Sequence, residues 1–218
     1  MADLKVLGEG NSIFNQFIME IRNVKIQNDS MRFRRNIERM GEIFAYEISK
    51  KLNYSNSLVQ TPLGECEIGL VDKQPVIATL LRAGLPLHQG ILNYFDAAEN
   101  AFISAYRKHV TADEFEVHVD YMSGPSLKGK TLILCDPMLA SGRSMVLGYD
   151  ALIEEYGTPD HTHIVSVISS TEGIDYVKKS IKGKITLWTG AMDSEMTAQS
   201  YIVPGLGDAG DLAYGVKE

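Results

Sequence analysis

The chain has 218 residues and a formal net charge of −7, and 44% of its residues are hydrophobic. This length suits one domain around a single core. The acidic balance argues against a general nucleic-acid binder, whose surface would be basic. The apolar runs are too short to span a membrane and no signal peptide is recognisable, so we expect a cytoplasmic protein with no membrane partner.

Two helices are predicted before residue 53. Apolar residues recur at three-to-four spacing from Ile13 to Ile21, and again from Phe33 to Leu52. Asp29 and Ser30 are N-cap candidates for the second helix. Four arginines crowd its start, either as a solvated face or as a contact for phosphate or a neighbouring subunit: Arg32, Arg34, Arg35 and Arg39. Residues 53–70 are expected to form short strands or turns.

A strand, a glycine turn and a helix follow. Residues 76–81 are apolar, Arg82-Ala83-Gly84 follows, and an apolar stripe begins at Leu85. Ligands of open α/β sheets bind at the carboxyl ends of strands, where an arginine can hold a diphosphate through paired hydrogen bonds. Arg107 similarly follows the predicted strand 101–106. Strict alternation over residues 114–121 then indicates a half-exposed strand, so residues 107–130 are predicted to form a projecting hairpin arm.

Residues 124–131 match the pattern G-x-x-x-x-G-K-T of phosphate-binding P-loops. A P-loop requires a helix directly after the lysine. The run Thr131–Cys135 instead has the length and composition of a buried strand. We therefore interpret the match as a turn that leads into this strand.

The stretch 131–148 predicts a phosphate site. The strand ends at Asp136-Pro137, the small and hydroxylated segment Leu139–Ser144 follows, and a helical stripe then begins. Backbone N–H groups at a helix N-terminus suit a phosphate, and serine hydroxyls add donors. Gly142 allows close approach of the backbone, and Asp136 can accept from a sugar diol or hold a hydrated cation.

Further strands at 164–168 and 184–188 alternate with helices that end near Tyr156 and Ser180, which indicates a parallel α/β sheet. His161 and His163 lack further ligands for a metal, so we predict structural roles for them. Cys66 and Cys135 are predicted to be buried thiols.

The segment Tyr201–Asp211 is rich in glycine and proline. Such a loop either forms a flexible tail or presents main-chain N–H and C=O groups to a flat heterocycle.

Three segments, Leu81–Gly84, Asp136–Ser144 and Tyr201–Asp211, together resemble the uracil phosphoribosyltransferase family. The resemblance implies a type I phosphoribosyltransferase fold, namely a parallel sheet flanked by helices. It also implies the arm at 107–130 and a C-terminal base-binding hood at about 189–218, in a single domain 1–218. The implied reaction transfers the phosphoribosyl group of phosphoribosyl diphosphate (PRPP) to N1 of uracil, giving UMP and diphosphate.

The resemblance also implies roles for individual residues. Arg82, Arg107 and Asp208 are the expected catalytic residues, with Mg²⁺ carried by PRPP rather than by a firm protein ligand. PRPP would contact these three and the turn after the central strand: Asp136, Pro137, Met138, Leu139, Ala140, Ser141, Gly142, Arg143 and Ser144. Uracil would contact the C-terminal loop: Tyr201, Ile202, Gly207, Asp208 and Ala209. A homodimer or higher homo-oligomer is expected, and GTP binding is a family trait whose presence here the sequence leaves open.

Two departures from the family pattern stand in these segments. Arg143 occupies a position where the family usually has glycine, and it would be strained if that position needs a positive φ. If the position does not need one, Arg143 adds a cation beside the phosphate. Leu212 occupies a position where arginine is common. The alternatives are a transferase for another nucleobase, which the uracil-type loop disfavours, and a regulator of the same fold that binds nucleic acid, which the acidic charge disfavours.

Overall fold

The computed structural model of the protein describes residues 3–109 and 115–217, with the side chains of 105–109 and 115–119 left out. The tip of the predicted arm, residues 110–114, therefore lies outside the described residues. Among the described residues, no helix has both the length and the apolar character needed to cross a bilayer.

The chain alternates strands and helices through most of its length. In chain order the elements are β1 (Asp3–Val6), a 3₁₀ turn (Leu7–Glu9), α1 (Ile13–Arg22), α2 (Ser30–Ser49), β2 (Tyr54–Thr61), β3 (Gly64–Val71), β4 (Val76–Leu81), α3 (Leu85–Leu92), β5 (Glu99–His109), β6 (Phe115–Ser123), β7 (Thr131–Cys135), β8 (Met138–Leu139), α4 (Arg143–Tyr156), β9 (His161–Ser170), α5 (Thr171–Ser180), β10 (Ile185–Asp193), β11 (Glu195–Met196), β12 (Ile202–Val203) and α6 (Ala209–Tyr214).

The main sheet has the strand order β1-β10-β9-β7-β4-β5-β6, and β8 adds to the end of β9. Its neighbouring strands run parallel, except for β6, which pairs antiparallel with β5. The parallel pairs place the carboxyl ends of β4 and β7 side by side, so the segments that follow them meet at one edge of the sheet.

Both faces of the sheet are covered. Ile133 of β7 packs into a core with α1, α2 and α3, whereas its neighbours Leu132 and Leu134 pack into a second core with α4 and α5. Successive side chains of a strand point to opposite faces, and a parallel sheet covered on both sides therefore reads as a continuous apolar run. The predicted α/β class, with a parallel sheet flanked by helices, is confirmed.

Several sequence-based boundaries are corrected by the structure. The helix predicted to reach Leu52 ends at Ser49. Residues 54–71 form a hairpin of two eight-residue strands rather than short strands or turns. Cys66 lies exposed on this hairpin, so the prediction that it is a buried thiol is wrong. The hood prediction began at residue 189, yet β10 continues within the main sheet to Asp193.

Two other predictions are confirmed. Thr131 opens β7 and no helix follows Lys130, so residues 124–131 do not have the structure of a P-loop. Cys135 is buried, and its burial raises the pKa of the thiol to about 12, which keeps it protonated.

Candidate active site

A cavity of about 630 Å³ lies at the carboxyl ends of β4 and β7, beneath the C-terminal segment. It is the meeting place of the three segments that the sequence singles out. The lining residues are Leu81, Arg82, Ala83, Ser104, Asp136, Met138, Ala140, Ser141, Gly142, Ser144, Met145, Gln199, Ser200, Tyr201, Ile202, Gly207, Asp208, Ala209, Gly210 and Lys217.

The turn between β7 and α4 forms one wall of the cavity. Its course is fixed by the sheet, because the Asp136 amide donates to Val165 O at 3.1 Å and the Pro137 carbonyl accepts from β9. Gly142 precedes α4 with φ of 78°, and as a glycine it has no side chain with which to cap this helix terminus. The first N–H groups of α4 therefore lie beside the cavity, an arrangement that suits a phosphate.

The structure brings most of the predicted PRPP residues of this turn to the cavity wall. Pro137 and Leu139 are instead buried, with Leu139 packed in the core between the sheet and α4. Arg143 is exposed and does not line the cavity. The positive φ falls on Gly142, and Arg143 opens α4 with helical backbone, so the position of Arg143 needs no positive φ and the arginine is not strained.

Arg82 lies between the cavity and the C-terminal segment. Its Nη2 donates to Asp211 Oδ1 at 3.0 Å and to the Gly215 carbonyl at 2.5 Å. Its Nε is buried and has no hydrogen-bond partner among the described residues, although Arg82 lines the cavity. An unsatisfied buried donor is costly, so this atom suits an incoming anion. Arg107 lies in β5, where the side chains are outside the described set.

The C-terminal loop forms the opposite wall. Ile202 is buried in the short β11–β12 pair, while Tyr201 is about half exposed. Gly207 has φ of 94°, a conformation that favours glycine. Asp208 caps α6 by accepting from the Asp211 amide at 3.0 Å. All five predicted uracil residues line the cavity, with both main chain and carboxylate available there.

Several cavity residues escaped the sequence-based prediction, among them Ser104, Gln199, Ser200 and Lys217. Ser200 has φ of 63°, which no local sequence pattern announces. Lys217 is a cation near the end of a glycine-rich segment, and only the fold brings it to the turn after β7. Leu212, the departure from the family pattern, packs partly buried against the core and does not line the cavity.

The two histidines of β9 are structural. The Trp188 indole donates to His163 Nδ1 at 3.1 Å, and burial lowers the pKa of His163 to about 3. His161 Nε2 lies 3.0 Å from Thr186 Oγ1, and burial lowers its pKa as well. Neither lines the cavity, and the described residues contain no cluster of three or more metal-ligating side chains.

Comparisons with known proteins agree with this architecture. The structure superposes on a protein of Aquifex aeolicus with a TM-score of 0.86 and 25% identity, covering 98% of each chain. A hypoxanthine phosphoribosyltransferase of Staphylococcus aureus matches with a TM-score of 0.50 and 14% identity over 85% of this chain and 83% of its own. The fold is therefore that of the phosphoribosyltransferases.

Sequence comparison narrows this class. Residues 11–216 match the family model described as uracil phosphoribosyltransferase. A uracil phosphoribosyltransferase of Porphyromonas gingivalis is 53% identical over 211 residues, which is 97% of each chain. The chain belongs to the uracil phosphoribosyltransferase family.

Proposed function

We propose that the protein transfers the phosphoribosyl group of PRPP to N1 of uracil and releases diphosphate, as in pyrimidine salvage. The observation that carries the proposal is one cavity with two chemically different walls. The turn 136–144 offers helix N–H groups and hydroxyls to a phosphate, and the loop 201–209 offers main-chain groups to a base.

In the proposed reaction, N1 of uracil attacks C1 of the ribose and the bond from C1 to diphosphate breaks. Positive charge develops on the sugar ring and negative charge on the leaving diphosphate. Ser141, Gly142 and Ser144 hold the 5-phosphate, Asp136 accepts from the ribose hydroxyls, and Arg82 neutralises the diphosphate. Catalysis then rests on positioning and electrostatics, and we assign no general base.

Arg107 and Lys217 complete the cationic set in this proposal. Lys217 lines the cavity directly, and Arg107 lies within β5, the strand next to β4, beyond the cavity residue Ser104 rather than after the strand end predicted at residue 106. Main-chain groups of Ile202 and Gly207–Ala209 read the edge of uracil, and Tyr201 flanks the sugar. Met138 and Ala140 form part of the turn that lines the cavity. Pro137, Leu139 and Arg143 lie outside the cavity and support the conformation of this turn.

The residues present fit a Mg²⁺ ion carried by PRPP. Asp136 and Asp208 are the two carboxylates on the cavity wall, and Mg²⁺ is commonly bound by one or two carboxylates together with phosphate oxygens and water. Asp208 would hold the ion through water. When bound, the ion supplies charge neutralisation of the diphosphate. We further propose a single-domain, cytoplasmic homo-oligomer that binds small molecules rather than nucleic acid.

The test is an assay with PRPP, Mg²⁺ and one base at a time, in which UMP and diphosphate are measured. We expect both products with uracil and neither with hypoxanthine, adenine or guanine. An absence of UMP with both substrates saturating would refute the proposal. Diphosphate release with a purine instead would reassign the base.

A further inference from the structure

The loop that forms the base wall is held from outside by side chains that never reach the cavity. Arg22, the last residue of α1, donates through Nη1 to Gly205 O at 3.0 Å. Asp193, the last residue of β10, accepts the Gly205 amide at 3.0 Å. Gln27 donates to Leu206 O at 2.7 Å. Both main-chain groups of Gly205 and the next carbonyl are thus satisfied by other elements.

Arg22 and Asp193 also bind one another in a two-point ion pair. Arg22 Nη1 lies 2.8 Å from Asp193 Oδ2, and Nη2 lies 2.9 Å from Oδ1. The Arg22 side chain is 20% exposed and that of Asp193 is 8% exposed. A planar, paired contact of this kind fixes direction as well as distance, and partial exclusion of water strengthens it.

Gly205 lies at a point of the loop where no side chain fits. Its φ is 53°, and a Cβ there would collide with the carbonyl of Ile202. Leu206 is buried in the core on the same side as α1. A residue with a side chain could therefore not replace Gly205 while the outside contacts persist.

We propose that Arg22, Asp193 and Gln27 are positioning residues for the base subsite, which we call the loop clamp. The groups proposed to read uracil lie on both sides of the clamped pair Gly205-Leu206, with Gly207–Ala209 directly after it and Ile202 before it, across Val203-Pro204. The clamp sets the spacing of these groups and leaves the phosphate turn 136–144 untouched, since the hydrogen bonds of its three side chains run to the loop and between Arg22 and Asp193. This inference rests on the proposed function.

The test compares Arg22→Lys with Arg32→Lys. Arg32 is a matched control because it also makes a two-point ion pair, with Glu20 at 2.8 Å for both contacts, and touches no part of the loop. Arg22→Lys keeps the charge beside Asp193 but loses the planar fork. We expect KM for uracil to rise on the order of tenfold, because a displaced main-chain hydrogen bond weakens base binding, while KM for PRPP stays within about twofold.

A second variant tests the clamp independently in case Arg22→Lys does not fold. Gln27→Leu removes the contact to Leu206 without creating an unpaired charge, and it should raise KM for uracil in the same selective way. The clamp alone would be overturned if the KM values for uracil and PRPP changed equally, or if KM for uracil stayed unchanged in both variants. The same effect from Arg32→Lys would also overturn it. Wild-type protein that forms no UMP would overturn the proposed function and the clamp with it.

Discussion

Asp208 combines two tasks in one carboxylate. It caps α6 through the Asp211 amide, and it lines the cavity where the diphosphate and its metal ion are proposed to lie. Asparagine caps a helix about as well as aspartate, but it carries no charge. The two tasks can therefore be separated by one substitution.

We expect Asp208→Asn to lower kcat by about 100-fold, as removal of a single electrostatic group in an active site does, while the free energy of unfolding changes little. Steady-state kinetics and urea unfolding measure the two effects. Asp29→Asn is the matched control, because Asp29 caps α2 in the same way, by accepting the Arg32 amide at 3.0 Å. Near-normal turnover of Asp208→Asn would remove Asp208 from the site.

At this scale the sequence predicts which residues reach the cavity better than it predicts what else they touch. Asp136, Ser141 and Ser144 were identified because helix termini and hydroxyls have local signatures. The partners of Arg82 were not, because Asp211 and Gly215 are about 130 positions away in the chain. Such pairings depend on the folded path between them, which no local pattern encodes.

Among the elements, the turn into α4 places the strictest demand on a single residue. Gly142 has φ of 78°, and a Cβ there would lie 2.9 Å from the Gly173 carbonyl at the start of α5. Gly129, before β7, has a similar φ of 70° but open space around it. Comparing substitutions at Gly142 and Gly129 therefore separates the free-energy cost of a positive φ from the free-energy cost of crowding.

We expect Gly142→Ala to lower the free energy of unfolding by about 2–4 kcal/mol and to raise KM for PRPP, because the turn must shift away from α5. Gly129→Ala should cost about 1 kcal/mol and leave both KM values unchanged. Thermal unfolding and kinetics of the two variants give the comparison. Equal losses of stability would show that crowding against α5 is unimportant. Impaired substrate binding in Gly129→Ala would revive a P-loop role for residues 124–131.

The sequence predicts best the helices and strands that bury one face or both faces. α5 was predicted to its end, since its apolar stripe and its flanking residues agree. The hairpin β2–β3 was underestimated because most of its side chains are exposed on both faces, so its strands lack the buried apolar face that marks the others. The length of β10 was also underestimated, because polar Thr189 and Asp193 are buried by hydrogen bonds rather than by apolar packing.

For the whole molecule, the order of strands and helices follows from the sequence, whereas the placement of the C-terminal segment over the cavity does not.

The buried histidine His163 makes the stability of the whole fold depend on pH. Its pKa is about 3 in the folded chain and 6.5 for the free side chain, so the unfolded chain binds more protons between these values. Stability should therefore fall as pH falls below about 6.5.

We expect this residue to contribute up to about 1.4 kcal/mol per pH unit to the loss of stability within that window. Urea unfolding at pH 7 and pH 5 measures the slope, at values where the pKa of Glu20, lowered to about 2 by its bond to Arg32, adds little. His163→Gln should reduce the slope, and His161 and His88, whose pKa values are also lowered by burial, contribute to the slope that remains. Trp188→Phe, which removes the indole donor but keeps the imidazole buried, should retain the full slope. An unchanged slope in His163→Gln would contradict the assignment.

The contacts of Arg82 have a consequence for how a substrate enters. Its guanidinium is already occupied by a carboxylate and main-chain carbonyls of the C-terminal segment. A diphosphate can bind Arg82 Nε directly, but one that also takes Nη1 or Nη2 must displace Asp211 or the main-chain carbonyls, so binding at these two atoms is an exchange. We expect Asp211 to return to Arg82 as diphosphate leaves. Asp211 then competes with diphosphate for Arg82 and limits how tightly this product is bound.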